Sequence, residues 1–427
     1  MKYVLGQYSM QRLRLQDIVF LLNIALTPVL FMLVVTFSSI IGLTIEGFII
    51  LCLISLLFDY SRMLTKALVL PIVERFRKIP AIRESPQISV IIPAHNEEKT
   101  IAACIESVLE NRYPWKQIIV VDDGSTDNTC KIASSYGNKI TLLRRSKSSM
   151  KAYALNYGLQ AASGDIVVTV DADTIIAWDF LSVVAAYFND SRIIAASGNL
   201  RVSNNGSNLL TKLQSLEYVI AFDIGRRLQS FFNTLLIIPG AVGVMRKSVL
   251  ESLGGYDPFI GEDFDLTLKM HKVKGKIIFM PEAYAWTEVP ENWRSWVRQR
   301  VRWHRSQIRM LIRHRNLFFK RRFGPPGLIG APDMLTMDVL MLIIRPAWLS
   351  YFLLTSSNPV LSWLIVIALY AIMELQTSLS AISIVEYPQD MKYWYLFPVT
   401  LFLYRPIYSL VRFYSYVSEL IKPSKEW

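Results

Sequence analysis

Three short apolar runs in this chain each end in a cluster of acidic and polar residues. ISVII is followed by PAHNE (Pro93–Glu97), QIIVV by DDGSTD (Asp122–Asp127) and DIVVTV by DADT (Asp171–Thr174). Carboxylates so placed can ligate a hard divalent cation such as Mg2+ or Mn2+, or accept hydrogen bonds from a base or ribose. That is the chemistry of a nucleotide site. Asp122, Asp127 or Asn96 taken singly could equally cap the helix that follows it. Asp171-x-Asp173, with the other clusters aligned beside it, is harder to explain in that way. No glycine-rich phosphate loop of either common pattern occurs, so a diphosphate here needs a metal and basic side chains. Further on, GEDFDLT brings Glu262, Asp263 and Asp265 within one helical turn, and RQRVRWHRSQIRM (298–310) sets five arginines and His304 around Trp303.

The elements that must position these clusters are legible as alternation. The three apolar runs are strand-like, and helical-period segments lie near 97–111, 127–136, 151–162 and 178–189. Strand and helix in turn predict a mostly parallel sheet covered by helices, lasting to about residue 285. In such a sheet ligands bind at the carboxyl ends of the strands, which is where the clusters fall.

This α/β region lies between apolar blocks. Hydrophobic residues make up 52% of the 427 and charged residues 19%, with a mean hydropathy of +0.32. That is too few charges for an ordinary soluble domain. The block from Asp17 to Phe58 is twice the length of one span and predicts a two-helix hairpin; blocks near 335–357, 359–382 and 395–413 predict three more spans. Lysines and arginines flank the hairpin on both sides, which places its ends, and the α/β region, in the cytoplasm. Residues 289–334 mix Arg and Trp with Leu, Ile and Phe, the pattern of amphipathic helices at a membrane interface. The expected organisation is therefore 1–79 hairpin, 80–288 catalytic domain, 289–334 interfacial helices and 335–427 C-terminal spans, in a multi-pass cell-membrane protein. The net charge of +12 is read as lipid-facing rather than as a nucleic-acid surface, because the arginines adjoin apolar blocks. Arg305, Arg309, Arg313 and Arg315 in particular are expected at lipid headgroups. Cys52, Cys104 and Cys130 lack a paired spacing and are expected as reduced, structural thiols.

In this order, PAHNE, VVDDGSTD, KAYALNYG (Lys151–Gly158), DADT, IPGAVGVMR (Ile238–Arg246), GEDFDLT and QRVRW (Gln299–Trp303) resemble the membrane-embedded family 2 glycosyltransferases. These are the processive β-glycan synthases that make cellulose, chitin, hyaluronan and poly-N-acetylglucosamine. The likeness covers most of the chain. It implies a GT-A catalytic domain inserted between transmembrane helices and an inverting transfer from a UDP-sugar, of the UDP-GlcNAc or UDP-Glc class, that extends a polysaccharide and moves it across the membrane. By the same resemblance Asp123 contacts the uracil, Lys151 and Arg302 approach the diphosphate, and Pro93, His95, Glu97, Asp171 and Gln299 complete the nucleotide-sugar site. Asp173, with Asp171, is implied to hold Mg2+ or Mn2+. Asp263 is implied as the general base, with Glu262 and Asp265 expected to raise its pKa. Asp265 can also be a first-turn acid serving the helix dipole. Trp303, Glu262 and Gly240 are implied on the acceptor side.

His304-Arg305-Ser306 is closer to chitooligosaccharide and hyaluronan synthases, whereas Asp263-Phe264-Asp265 looks more like the poly-N-acetylglucosamine and cellulose types. Partners expected on this reading are a UDP-sugar donor, a saccharide or glycan acceptor, membrane lipids, and a second copy or accessory secretion proteins; nucleic acid is not expected. Trp286, Trp293 and Trp296 could line the mouth of the site or anchor at the interface, and Arg345 could face a translocation path or reach back to the cytoplasm. A nonprocessive enzyme adding one sugar to a lipid-linked or short acceptor would use the same residues. A transporter with a nucleotide-sensing domain is disfavoured, since it would not need the full catalytic set.

Overall fold

The structure is a computed structural model that describes residues 17–19, 21–26, 61–146, 150–258, 261–273, 275–385 and 391–423. Most of the predicted N-terminal hairpin, and Cys52, lie outside them. The chain divides into two compact units. One comprises the residues up to 78 together with 219–228 and 333–410; the other comprises 79–218, 229–332 and 411 onward.

The second unit is built on an eight-stranded sheet. Its strands are β1 (Ile88–Ala94), β2 (Lys116–Asp122), β3 (Thr141–Arg144), β4 (Ile166–Val170), β5 (Thr174–Ile176), β6 (Ile193–Val202), β7 (Val242–Arg246) and β8 (Lys276–Thr287), in the order β3-β2-β1-β4-β7-β6-β8-β5. β1 to β4 run parallel to one another, and β6 and β8 form a second parallel pair. β1, β2 and β4 are almost wholly buried, as expected of strands covered on both faces. The labelled helices of this unit are α1 (Ile101–Leu109), α2 (Thr129–Ser134), α3 (Lys151–Ala161), α4 (Phe180–Phe188), α5 (Leu209–Glu217), α6 (Glu262–Met270) and α7 (Trp293–Arg313).

The sheet as a whole is mixed: four of its seven pairings are parallel and three antiparallel. β7 runs antiparallel between β4 and β6, and β5 runs antiparallel beside β8. The reason is connectivity: β7 returns against β6 instead of being reached by a crossover that would keep its direction. This reversal serves the site. Val170 at the end of β4 faces Val242 at the start of β7, so the segment preceding β7, Pro239-Gly240-Ala241, lies where β4 ends. Ile91, Val121, Leu155, Val167, Met245, Leu266 and Phe279 share one core cluster, which ties α3 and α6 to the strands that carry the clusters. Burial of each such side chain contributes about 1.5–3 kcal/mol.

α7 starts at Asn292, whose side chain accepts from the Ser295 N–H at 2.9 Å. It carries the Arg- and Trp-rich stretch, and its arginines are largely paired within the unit. Arg305 and Arg309 both bond Glu419, which lies on the helix Arg405–Ile421 and is buried. Arg313 bonds Asp257 at 2.8 Å. The expectation that these three reach lipid headgroups is thus corrected: acids distant in sequence, which a helix-by-helix reading does not connect to them, take up their charge. Arg315 is exposed.

In the first unit, Arg227 is buried against Asp223 and Glu74, and Arg405 pairs with Glu374. Two helices among the described residues, Pro326–Thr355 and Pro359–Ile384, are long and apolar enough to cross a membrane. Arg345 belongs to the first of these. The third apolar block, 395–413, falls largely within one continuous helical stretch, 397–421, α then π then α, which is not one of those two.

Candidate active site

Parallel register gathers the first two clusters. Ala94 pairs with Asp122, and the Asp123 N–H donates to the Ala94 carbonyl at 2.8 Å. The loops then divide their polar residues between two tasks. Asn96 accepts from Thr126, Asp122 from the Ser125 N–H, and Asp127 from the N–H groups of Glu98 and Thr129. These side chains hold the two loops to each other and start α2. Asp123 is buried and pairs with the Arg145 guanidinium, which also lies 5.5 Å over the Tyr153 ring. His95 sets its Nδ1 3.0 Å from the Asp123 carbonyl. Pro93 is the penultimate residue of β1, directly opposite Val121. Arg144, Arg145, Tyr153, Asn156 and Tyr157 line a cavity of about 470 Å3 on this side.

The third cluster sits one strand over. The Asp171 N–H donates to the Ala241 carbonyl at 3.2 Å, and Lys151, at the first turn of α3, pairs with the Asp171 carboxylate. Asp173 Oδ1 accepts from the hydroxyls of Thr174 (3.1 Å) and Thr287 (3.2 Å), the latter at the end of β8. Burial first, and then the carboxylates of Asp171 and Glu97, raise Asp173 to about 6. Burial raises Glu97 as well; its Thr100 hydrogen bond opposes this and Asp171 adds to it.

α6 delivers the remaining acids. Gly261 precedes it with φ 85°, a left-handed conformation that only glycine adopts without strain. Asp263 Oδ2 accepts from the Gly240 N–H at 3.2 Å and Oδ1 from the Phe264 N–H at 2.7 Å. A side chain at Gly240 would meet Lys151 Nζ at 3.0 Å and Glu262 Oε1 at 3.8 Å, so Gly240, Lys151 and Glu262 border one space. Burial raises Asp263, against the pull of Lys151 and the two N–H donors. Burial and the Asp263 charge push Glu262 up to about 7. Asp265 does not share in this. It is fully buried on the other side of α6, where His314, Lys269 and Arg313 hold it below its ordinary range in spite of burial. It is therefore neither a dipole-only acid nor a contributor to Asp263.

On α7, Gln299, Arg302, Trp303 and Ser306 recur at three- and four-residue spacing and share a face. A side chain at Gly261 would meet Ser306, so this face packs at the start of α6. The opposing charges that Arg302 feels are Glu262, Asp171 and Asp263. His304 is buried edge-on to Tyr416 and kept neutral by burial. Trp296, expected at the mouth or the interface, is instead wholly buried, whereas Trp293 is exposed and meets it edge-on at 5.4 Å. Trp286 stacks on Tyr284. Arg145, Thr287 and Arg300 were not singled out by sequence, since a partner's partner leaves no local pattern.

Residues 89–254, which carry three of these four clusters, match the family Glycosyl transferase family 2. The match to that family is confined to this stretch, 166 of the 427 residues. The chain aligns with the probable glycosyltransferase YdaM of Bacillus subtilis (strain 168) at 32% identity over 258 residues, 57% of this chain and 61% of the relative. It aligns with a poly-beta-1,6-N-acetyl-D-glucosamine synthase of Staphylococcus epidermidis at 33% identity over 230 residues, 53% of this chain and 56% of the relative. The aligned part thus spans little more than half the length of these relatives. Among solved structures, the mannosyltransferase PcManGT from Pyrobaculum calidifontis, in complex with GDP-Man and Mn2+, superposes with a TM-score of 0.59 over 91% of this chain and 99% of its own. At 20% identity that likeness is one of fold.

The sheet unit offers a hard cation only oxygen donors at Asp171 and Asp173, and the disfavoured charge on Asp173 is one a cation would relieve. Among the described residues no three His, Cys, Asp or Glu side chains are grouped to hold a metal unaided. Mg2+ and Mn2+ are the cations that one or two carboxylates can hold. Thr174 and Thr287 would then orient the ligating carboxylate. Asp173→Asn is expected to raise the half-saturating Mn2+ concentration, read by electron paramagnetic resonance with UDP present, by at least about tenfold; an unchanged value would remove Asp173 from the metal site. Cys104 is buried, its thiol donating to the Asp171 carbonyl at 3.4 Å, and burial pushes its pKa up. Cys130 is likewise a buried free thiol.

Proposed function

We propose that this protein is an inverting glycosyltransferase that extends a β-glycan from a UDP-sugar, UDP-N-acetylglucosamine before UDP-glucose. The observation that carries the reading is Asp263. It is a carboxylate with a raised pKa, oriented by two backbone N–H groups, one of them that of Gly240, whose open side is bordered by Lys151 and Glu262. A base so placed can take the proton from an acceptor hydroxyl as that oxygen attacks the anomeric carbon. Single displacement inverts an α-linked donor to a β-linkage. No second catalytic acid is needed, because a nucleoside diphosphate leaves as an anion.

The other residues bind and orient. Asp123, with Arg145 beside it, is placed for the base, and Lys151 and Arg302 for the diphosphate, where guanidinium and ammonium groups match phosphate oxygens. Pro93, His95, Glu97 and Gln299 border the donor. Asp173 and Asp171 would hold a divalent cation, whose charge would offset that of the departing diphosphate. Trp303 offers an indole face to the C–H face of the acceptor sugar.

The preference for N-acetylglucosamine is supported by the staphylococcal relative's name. Processive growth, a catalytic unit on the cytoplasmic side and passage of the product across the membrane are supported by the apolar helices Pro326–Thr355 and Pro359–Ile384 and by the basic residues flanking the N-terminal apolar block. The test is a panel of radiolabelled UDP-sugars with Mn2+ and detergent-purified protein, followed by sizing of the product. UDP-N-acetylglucosamine turnover into long chains is expected. Single-sugar products would replace processivity by single addition, and no turnover of any UDP-sugar would end the reading.

A further inference from the structure

Arg300 lies inside the same motif as Arg302 and Trp303, yet its surroundings differ. It is fully buried, and its guanidinium bonds Glu217, the last residue of α5, at 2.6 Å. A charge neutralised inside the protein does not compete for a diphosphate. The same guanidinium lies 4.2 Å over the centroid of the Trp303 ring and 5.7 Å over that of Trp296. Trp296, Arg300 and Trp303 are spaced four and three residues apart, so they form a ladder along one stripe of α7. Trp296 is wholly buried at the foot of the ladder, while Trp303 at its head is only partly covered. An indole can rotate about two side-chain torsions. A planar cation held by a carboxylate against its face restricts that freedom, and lysine, a point charge on a flexible stem, cannot reproduce the stack.

We propose that the Glu217–Arg300 pair is the positioning device for the acceptor platform: it fixes the plane of the Trp303 indole, so that the acceptor sugar meets a preset face. This rests on the reading of Trp303 as that platform. Arg300 also donates to Gln299 Oε1 at 3.3 Å, so Glu217→Gln, which leaves that bond's donor in place, is the cleaner variant; on this account Arg300 and Glu217 touch neither donor nor acceptor and act on the acceptor through the ring.

The test compares Arg300→Lys, Glu217→Gln and Trp303→Ala in the full-length, detergent-purified protein. UDP-N-acetylglucosamine with Mn2+ is the donor, and a short β-linked N-acetylglucosamine oligomer is the acceptor. Two rates are read: acceptor-dependent transfer, and the slow release of UDP to water without acceptor. Arg300→Lys and Glu217→Gln should each raise the acceptor KM by about tenfold, the cost of a mispositioned partner, while acceptor-independent UDP release stays at the wild-type rate. A merely structural role would lower both rates together, which would overturn the proposal. An unchanged acceptor KM in both variants, with a raised one in Trp303→Ala, would overturn it as well. A Trp303→Ala variant with a wild-type acceptor KM would instead sink the platform reading beneath it. Should Arg300→Lys not fold, Glu217→Gln, which keeps size and a hydrogen-bond acceptor, decides the matter alone.

Discussion

Asp263→Asn should bind donor as the wild type does and turn it over about 100- to 10,000-fold more slowly, the span that positioned general bases contribute. Asparagine keeps the shape, but its single side-chain oxygen can accept from only one of the Gly240 and Phe264 N–H groups while its amide nitrogen faces the other, so α6 keeps one of the two tethers and the donor residues on the strand ends stay in place. What is lost is the ability to take a proton. Calorimetric titration with UDP and Mn2+, set beside a UDP-release assay, separates the two effects. The neighbouring acid supplies the control. Glu262 is pushed up to about 7 by burial and by Asp263, so the two carboxyls share protons and titrate as a pair. As pH falls through that region the pair gains a proton and the base is consumed. The acid limb of kcat/KM should therefore lie above the ordinary carboxylate range. Glu262→Gln, by removing a neighbouring negative charge, should move that limb to lower pH while leaving measurable turnover. Retained turnover in Asp263→Asn with loss in Glu262→Gln would reassign the base.

Gly261→Ala should lower turnover by about 100-fold although it removes no functional group, because displacements near 1 Å cost that much. At φ 85° a Cβ strains the backbone, and the added atom would lie 1.7 Å from Ser306 Oγ and 3.0 Å from Ser306 Cβ. Something must shift. Glu262 and Asp263 follow directly on one side of the contact, and Arg302 and Trp303 lie one turn before Ser306 on the other, so base and platform separate. Ser306→Gly in the same chain relieves the collision but not the backbone strain, and should recover part of the rate. Wild-type turnover in Gly261→Ala would show that the approach of α6 to α7 does not set the site.

What could be read from the sequence follows from where each signal is local. Asp123, Asp171 and Asp173 each stand just past a strand, so the rule that ligands bind at strand ends located their clusters, whereas Lys151, Glu262 and Asp263, at helix starts, were reached through the resemblance of their motifs to a known family. The antiparallel entry of β7 was not legible, because direction depends on a return connection rather than on the run VGVMR itself. Charges in α7 misled for a similar reason. Arg305 and Arg309 look like lipid-facing arginines until Glu419, more than a hundred positions away, is seen between them. Asp265 shows the converse: a first-turn position suggested the helix dipole, and only packing against His314 reveals a buried ion cluster. The Arg-rich stretch is thus divided by neighbours rather than by composition, with Arg302 turned to the carboxylates of the site, Arg300 stacked beneath Trp303 and Arg305 and Arg309 bound to Glu419.

The anomeric configuration of the first product is the most direct measure of the account. Purified protein with Mn2+, UDP-N-acetylglucosamine and a short acceptor should yield a β-linkage, resolved by proton coupling in nuclear magnetic resonance spectra, with one UDP released per sugar added. An α-linkage would contradict single displacement at Asp263, and UDP release without any transfer would contradict an acceptor site at Trp303.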